Sequence, residues 1–284
     1  MGLVVLPLLI NPRSIVAWWI FVAKGLLFFG IAILAAAAIY WVTGTILFNL
    51  SWRALHRADY DQALLLIRRM KALREHELHG IVLTLAGRPK EAEEIFHKPA
   101  LAPRDVTPMA RARRLTLLAD VLMDQGRWDQ AKETLDEAVR LDIRLGNRCN
   151  PLAAWFLLQG IEPQQALDLI EQANTASGFA SLRSSVRDGI LSVRFATKGL
   201  ALARLGRHHE AELAIVEAFR KADTKHVPRM AFLHWYAGMA FTAMGQPVKA
   251  SDHFQQAVEM DAHGKYGKLA VLWLKDDKPD STAS

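Results

Sequence analysis

The sequence predicts an all-α protein: an N-terminal transmembrane helix followed by an α-solenoid of about five to six helix pairs. Three observations carry this. A grid of small and apolar residues recurs along the chain, turn glycines punctuate it at similar intervals, and residues 25–50 contain no charged side chain. The grid reads Gly80, Gly87, Ala92, Phe96, Pro99, and it returns as Ala119, Gly126, Ala131, Leu135, Ala138. It appears again as Gly199, Gly206, Ala211, Ile215, Ala218 and as Gly238, Gly245, Ala250, Phe254, Ala257. Small residues at fixed offsets mark where two helices approach closely, and the middle glycine marks the turn between them. A single such unit cannot bury its apolar face alone, so the copies must stack.

The first element, residues 1–14, is a short apolar segment. Gly2–Ile10 is broken by Pro7 and closed by Asn11-Pro12-Arg13, too short to span a bilayer alone. It can lie in the interface or join Ile15–Val22 in a second, broken membrane segment, and the sequence leaves both open. Leu6 stands where a myristoylation signal requires Ser or Thr.

Residues 15–50 read as the transmembrane anchor. The uncharged run Gly25–Leu50 exceeds the ~20 residues a spanning helix needs. Trp18 and Trp19 stand at one end and Tyr40 and Trp41 at the other, as expected of interfacial aromatic belts. Lys24 lies near one interface, where its stem reaches the headgroups. A cleaved signal peptide could use Lys24, Gly25–Leu34 and then Ala35–Ala38, but Ile39–Leu50 would remain as an apolar stump. A buried core helix fits less well, because the stretch is apolar on every face. Arg13, Lys24 and the α-amine flank one side; Arg53, Arg57, Arg68, Arg69, Lys71 and Arg74 follow on the other. Asp59 and Asp61 offset part of this flank and the nearest residues almost balance; the extended basic flank favours the repeats on the cytoplasmic side. The Ala-, Leu- and Arg-rich usage looks bacterial, and with its one anchor the chain reads as a single-pass protein of a bacterial inner membrane.

Residues 51–272 read as the repeat domain and 273–284 as a disordered tail, polar and containing Pro279. The 34-residue spacing and the residues of the grid resemble the tetratricopeptide repeat, a family of helix–turn–helix units. With the first small residue at position 8, clear units run about 73–106, 112–145, 192–225 and 231–264. Ala58, Ala63, Ile67 and Met70 supply part of a weaker unit near 44–77; Gly160, Ala166, Ile170 and Ala173 supply one near 147–180. The resemblance covers roughly residues 44–264. The chain departs from the family at its aromatic position, which holds His76, Leu115, Phe195 and His234. It departs again at the closing proline, replaced by Arg104, Ile143, Asp223 and Ala262. Turn glycines 87, 126, 160, 206 and 245 are separated by 39, 34, 46 and 39 residues, so insertions fall near Pro99–Pro108 and the serine-rich Thr175–Ser185.

The resemblance implies a superhelix whose concave wall is lined by the first helix of each unit, and a protein or peptide partner. Carried onto this chain, the groove positions are Arg74, Glu77, Thr84, Arg113, Thr116, Asp120, Met123, Asp124, Trp235, Met239 and Thr242. Charged in the middle and rich in aromatic and thioether groups near the end, this wall suits a peptide with charged and apolar side chains. Trp235 and Met239 lie four apart on one helix face and serve a core equally well. No asparagine occupies a groove position of a clear unit, which argues against a clamp for a C-terminal carboxylate.

The formal charge is +6. Arg13 and Lys24 supply two of these charges and residues 1–50 hold no acid, which leaves an excess of four on the repeats. Acids alternate with the basic residues and no aromatic–basic signature appears, so no nucleic acid is expected. His76 and His79 are three apart rather than the four of a zinc-protease helix, and no third ligand suggests itself. His208-His209 falls in an inter-helix turn, and Cys149 has no partner for an internal disulfide. No catalytic residue, metal site or cofactor is expected. The chain reads as a membrane-anchored interaction scaffold or assembly factor; the alternative is a non-catalytic accessory subunit of a membrane enzyme or transporter complex. Oligomeric state is left open.

Overall fold

The computed structural model describes residues 12–69, 77–97, 107–141, 149–175 and 182–276. The chain divides into two compact units, residues 1–49 and 50–284. The first holds most of helix α1 (Pro12–His56). Proline at the first helical position and the absence of any later proline let this helix run unbroken. Its large side chains from Phe21 to Tyr40 and Trp41 are exposed, Trp41 by 71%. Side chains of residues 12–20, Trp18 and Trp19 among them, lie outside the described residues, as does the segment 1–11.

The second unit is a stack of helical hairpins. The last turns of α1 pair with α2 (Tyr60–Arg68), α3 (Glu77–Leu85) with α4 (Pro89–His97), and α5 (Pro108–Asp124) with α6 (Trp128–Leu141). Then α7 (Cys149–Leu158) pairs with α8 (Pro163–Thr175), α9 (Ser184–Arg204) with α10 (His208–Lys221), and α11 (Val227–Ala243) with α12 (Pro247–Asp261). The last described helix, α13 (Lys265–Asp276), has no hairpin partner among the described residues and packs on α11 and α12. It carries the chain through Asp276, into the segment expected as a tail; residues 277–284 lie outside the described residues.

Each turn is built alike. Gly87, Gly126, Gly160, Gly206 and Gly245 all have positive φ, between 69° and 77°. After each glycine the next amide reaches back over the helix end: Arg88 N–H to Leu83 O, Arg127 to Leu122, Ile161 to Phe156, Arg207 to Leu202 and Gln246 to Phe241. These are the six-to-one bonds of a Schellman cap, which satisfy carbonyls the helix end leaves unpaired. The first turn lacks glycine, and Ala58 takes the left-handed position at φ 58°, closed by Asp59 N–H on Ala54 O.

The small residue seven before each turn glycine lets the hairpin close. A Cβ on Gly238 would stand 2.7 Å from the Phe254 ring, and one on Gly199 would stand 2.9 Å from Ile215 Cγ1. In α5–α6 the facing large residue is Leu135, and Ala119 fits; both are fully buried. Two apolar cores result. One spans Ala54 to Phe96 with Val121, and the other runs from Ala119 to Ala270.

Polar contacts join the C-terminal end of this unit to its first hairpins. Tyr60 O–H donates to Asp261 Oδ2 at 2.5 Å, and Lys268 Nζ donates to the Ala86 carbonyl at 2.8 Å. Lys265 Nζ lies 2.9 Å from Asp120 Oδ1 and 2.7 Å from Asp124 Oδ1 on α5. Gly264 and Gly267 make the tight turn into α13 possible, since a Cβ on either would collide with Asp261.

Candidate functional site

A cavity of about 610 Å³ opens between α5, α7, α11 and α13. It brings together six of the residues assigned to the groove: Thr116, Asp120, Met123 and Asp124 from α5, and Trp235 and Met239 from α11. The four on α5 follow its helical period of about 3.6, and so line one face. Trp235 and Met239 are half-buried and also pack against the larger core.

The remaining groove candidates sit elsewhere. Glu77 on α3 pairs with Arg113 on α5 at 2.9 Å. Thr84 is buried, its hydroxyl donating to the Gly80 carbonyl at 2.9 Å, and exposed Thr242 makes the matching bond to Gly238 O at 2.9 Å. Arg74 lies outside the described residues, as do His76 and the greater part of both insertions.

The cavity's electrostatics turn on one lysine between two carboxylates. Burial disfavours the Lys265 charge, but Asp120 and Asp124 hold its pKa well above the ordinary lysine value. Burial pushes the Asp124 carboxyl up to about 7, with Asp120 adding to the shift and Lys265 opposing it. Burial also raises Tyr236 and Tyr266, so both remain hydroxyl donors across the neutral range. The side chain of Asp120 is 39% exposed, that of Lys265 only 9%. The carboxylate is therefore the more accessible charge.

Sequence reasoning missed Trp128, Asn150, Lys265 and Tyr266 in this wall. Lys265 and Tyr266 follow the last unit of the grid, where repeat register assigns no groove position. Asn150 lies in one of the two weaker units, on the second residue of α7.

Four of the histidines form two close pairs. His234 Nδ1 and His253 Nδ1 stand 3.0 Å apart beside Phe219 and Phe241, and burial lowers both pKa values, His234 to about 4. The rings of His56 and His226 lie 4.3 Å apart, tilted by 31°; burial lowers both pKa values, with nearby Arg229 contributing, His226 to about 4. Among the described residues, no three His, Cys, Asp or Glu side chains converge as metal ligands. His208 and His209 are exposed, and Cys149 is buried at the start of α7.

Residues 112–142, covering α5 and α6, match the tetratricopeptide repeat family model. No curated protein sequence matches the chain significantly. Among solved structures, a crystal structure of MamA shares 21% identity over 61% of this chain and 89% of its own, with a TM-score of 0.35. A MamA RS-1 double mutant shares 16% over 77% and 94%, with a TM-score of 0.37. YrrB, described as a tetratricopeptide protein with an unusual peptide-binding site, shares 15% over 76% and 97%, with a TM-score of 0.35.

Proposed function

Since residues 112–142 form a tetratricopeptide repeat and the neighbouring hairpins are built alike, we propose that this protein is a membrane-anchored scaffold that recruits a partner protein through its concave wall. The observation that carries the reading is the convergence of α5 and α11 side chains on one cavity: two carboxylates, an indole and two thioethers. Charged groups there steer a partner and set its register, while a desolvated aromatic anchor supplies affinity. The hairpins serve as scaffold for this wall, and no catalytic role is assigned to them.

The anchor lies in residues 15–50; within the helical stretch Phe21–His56 the most apolar 18-residue window has a mean hydropathy of 2.3, and none of that window is buried. So much exposed apolar side chain is costly in water and stable in lipid. The basic residues after it support a cytoplasmic side for the repeats. An accessory subunit of a larger membrane complex is the second reading. It is favoured by Gly25 and Gly30, small residues that permit close helix packing; among the described residues nothing stands within 4 Å of where a Cβ on either would lie.

Site-specific photocrosslinking in native membranes tests recruitment. A photoreactive residue at Met239 is expected to give a discrete adduct that the same residue at Leu213, on the exposed face of α10, does not give. Adducts of one size from both positions refute use of the concave wall. High-salt and alkaline washing is expected to leave the full-length protein with the membrane, and release by either removes the anchor. Co-purification in mild detergent at fixed stoichiometry identifies the subunit reading.

A further inference from the structure

We propose that the cavity between α5, α7, α11 and α13 is a binding site for an uncharged aromatic molecule bearing a carbonyl group, whose oxygen accepts hydrogen bonds from the Tyr236 and Tyr266 hydroxyls. The inference goes beyond recruitment and does not rest on it. The cavity's volume, about 610 Å³, falls within the ~300–1,000 Å³ of small-ligand sites. Its lining is mostly apolar, with Met123, Phe232, Trp235, Met239 and Leu269 among the residues around it. Such a wall takes a flat ring by aromatic stacking and thioether contact.

Two polar features decide what else the ligand carries. The first is that the ionisable groups of the wall cancel in formal charge, Lys265 and Lys268 against Asp120 and Asp124. Lys265 Nζ stands 2.9 Å from Asp120 Oδ1 and 2.7 Å from Asp124 Oδ1, and Lys268 donates to the Ala86 carbonyl. An ion entering this space loses hydration with no net opposite charge to offset the loss, so a neutral ligand is favoured. The second is a pair of unused donors. Tyr236 is only 4% exposed, Tyr266 is partly buried, and both line the cavity. Neither hydroxyl has an acceptor among the described residues, yet neither oxygen is fully enclosed. The two tyrosines are close enough for each phenol to feel the charge of the other, so one ligand end can meet both. A desolvated O–H without an acceptor is costly. A carbonyl removes that cost and, unlike an alcohol or amine, brings no donor of its own that needs a partner.

Calorimetric titration of the full-length protein in detergent, referred to partitioning into protein-free micelles, tests the site with three probes of similar shape. The ketone 2-acetylnaphthalene is expected to bind saturably and at least about fivefold more tightly than the hydrocarbon 2-ethylnaphthalene, with the anion 2-naphthoate weakest. Tyr236→Phe and Tyr266→Phe are each expected to weaken the ketone about fivefold while leaving the hydrocarbon unchanged. Each removes only a hydroxyl without an acceptor, so ligand-free melting by circular dichroism is expected to be undiminished; if one variant melts lower, the other decides. Lower melting of both gives the hydroxyls a structural role and overturns the proposal. So does equal affinity for ketone and hydrocarbon, preference for naphthoate, absence of saturation, or unchanged ketone affinity in both variants. Tighter binding of N-acetylphenylalanine amide than of the ketone assigns the cavity to a peptide and overturns it as well.

Discussion

Replacing Lys265 by Met removes the cation shared by Asp120 and Asp124 while keeping most of the side-chain volume. The two carboxylates respond differently. Asp120, with a side chain 39% exposed, regains water; Asp124, at 18%, does not. Breaking a buried pair by deleting one partner typically costs ~3–5 kcal/mol where the other charge stays buried and uncompensated; since burial already raises Asp124 to about 7 and Lys265 opposes that rise, the melt is read well on the alkaline side of 7, where Asp124 is ionised. At ~2–4 °C per kcal/mol for a domain of this size, the melting temperature is expected to fall by roughly 6–20 °C. Helix α13 should loosen first, since a repeat array opens from its ends. Far-UV circular dichroism of the full-length protein in detergent reads the melt, and hydrogen exchange across 265–276 reads the helix. The companion variant Lys265→Met with Asp124→Asn removes both charges and is expected to recover more than half of the loss. A single variant that melts within about 2 °C of wild type, or a double variant less stable than the single, refutes this account of the ion pair.

Gly206→Leu and Ala211→Leu should each destabilise the array while Ser184→Leu leaves its melting unchanged. Gly206 has φ +73° with open space around its Cβ position, so the cost is backbone strain of ~1–2 kcal/mol; Ala211 is fully buried, and overpacking there costs ~1–3 kcal/mol. Equal melting of all three removes the repeat register. Stability against pH should show two opposing contributions. The lowered pKa values of His226 and His234, near 4, mean the unfolded chain binds more protons between their ordinary value of 6.5 and 4, so stability falls as pH drops through that window. Asp124, raised from 3.8 to about 7, binds its proton more tightly when folded and works in the opposite sense between those values. Urea titrations from pH 8 to 4 should therefore show Asp124→Asn steepening the acid loss and His234→Gln flattening it; slopes unchanged from wild type count against both assignments. Trp235→Ala should lower both melting temperature and partner crosslinking, because its ring belongs to the core and to the cavity; loss of neither puts the ring outside both.

Local rules made the hairpins legible in the chain itself. A left-handed turn wants glycine, and Gly87, Gly126, Gly160, Gly206 and Gly245 declare five turns by residue type alone. Close helix approach wants a small residue, so Gly199 and Gly238 predict their own contacts with Ile215 and Phe254 at a fixed separation. The uncharged run before residue 50 is equally local, because hydropathy needs no partner to be read. The groove positions that the tetratricopeptide resemblance implies include Thr116, Asp120 and Met123 on α5 and Trp235 and Met239 on α11, all of which line the cavity.

What only the tertiary structure decided is what those faces meet. Helix α13 lies beyond the last repeat, and nothing in its spacing announces that Lys265 reaches carboxylates 145 residues earlier at Asp120. Nor does the sequence link Tyr60 to Asp261, 201 residues away. Such contacts depend on the rotation and rise accumulated over successive hairpins, small increments that no single repeat encodes. The same accumulation brings Asn150, Trp128 and Tyr266 to one cavity. Residue type and period determine each helix and turn; the summed geometry of the stack determines which side chains face one another across the space it encloses.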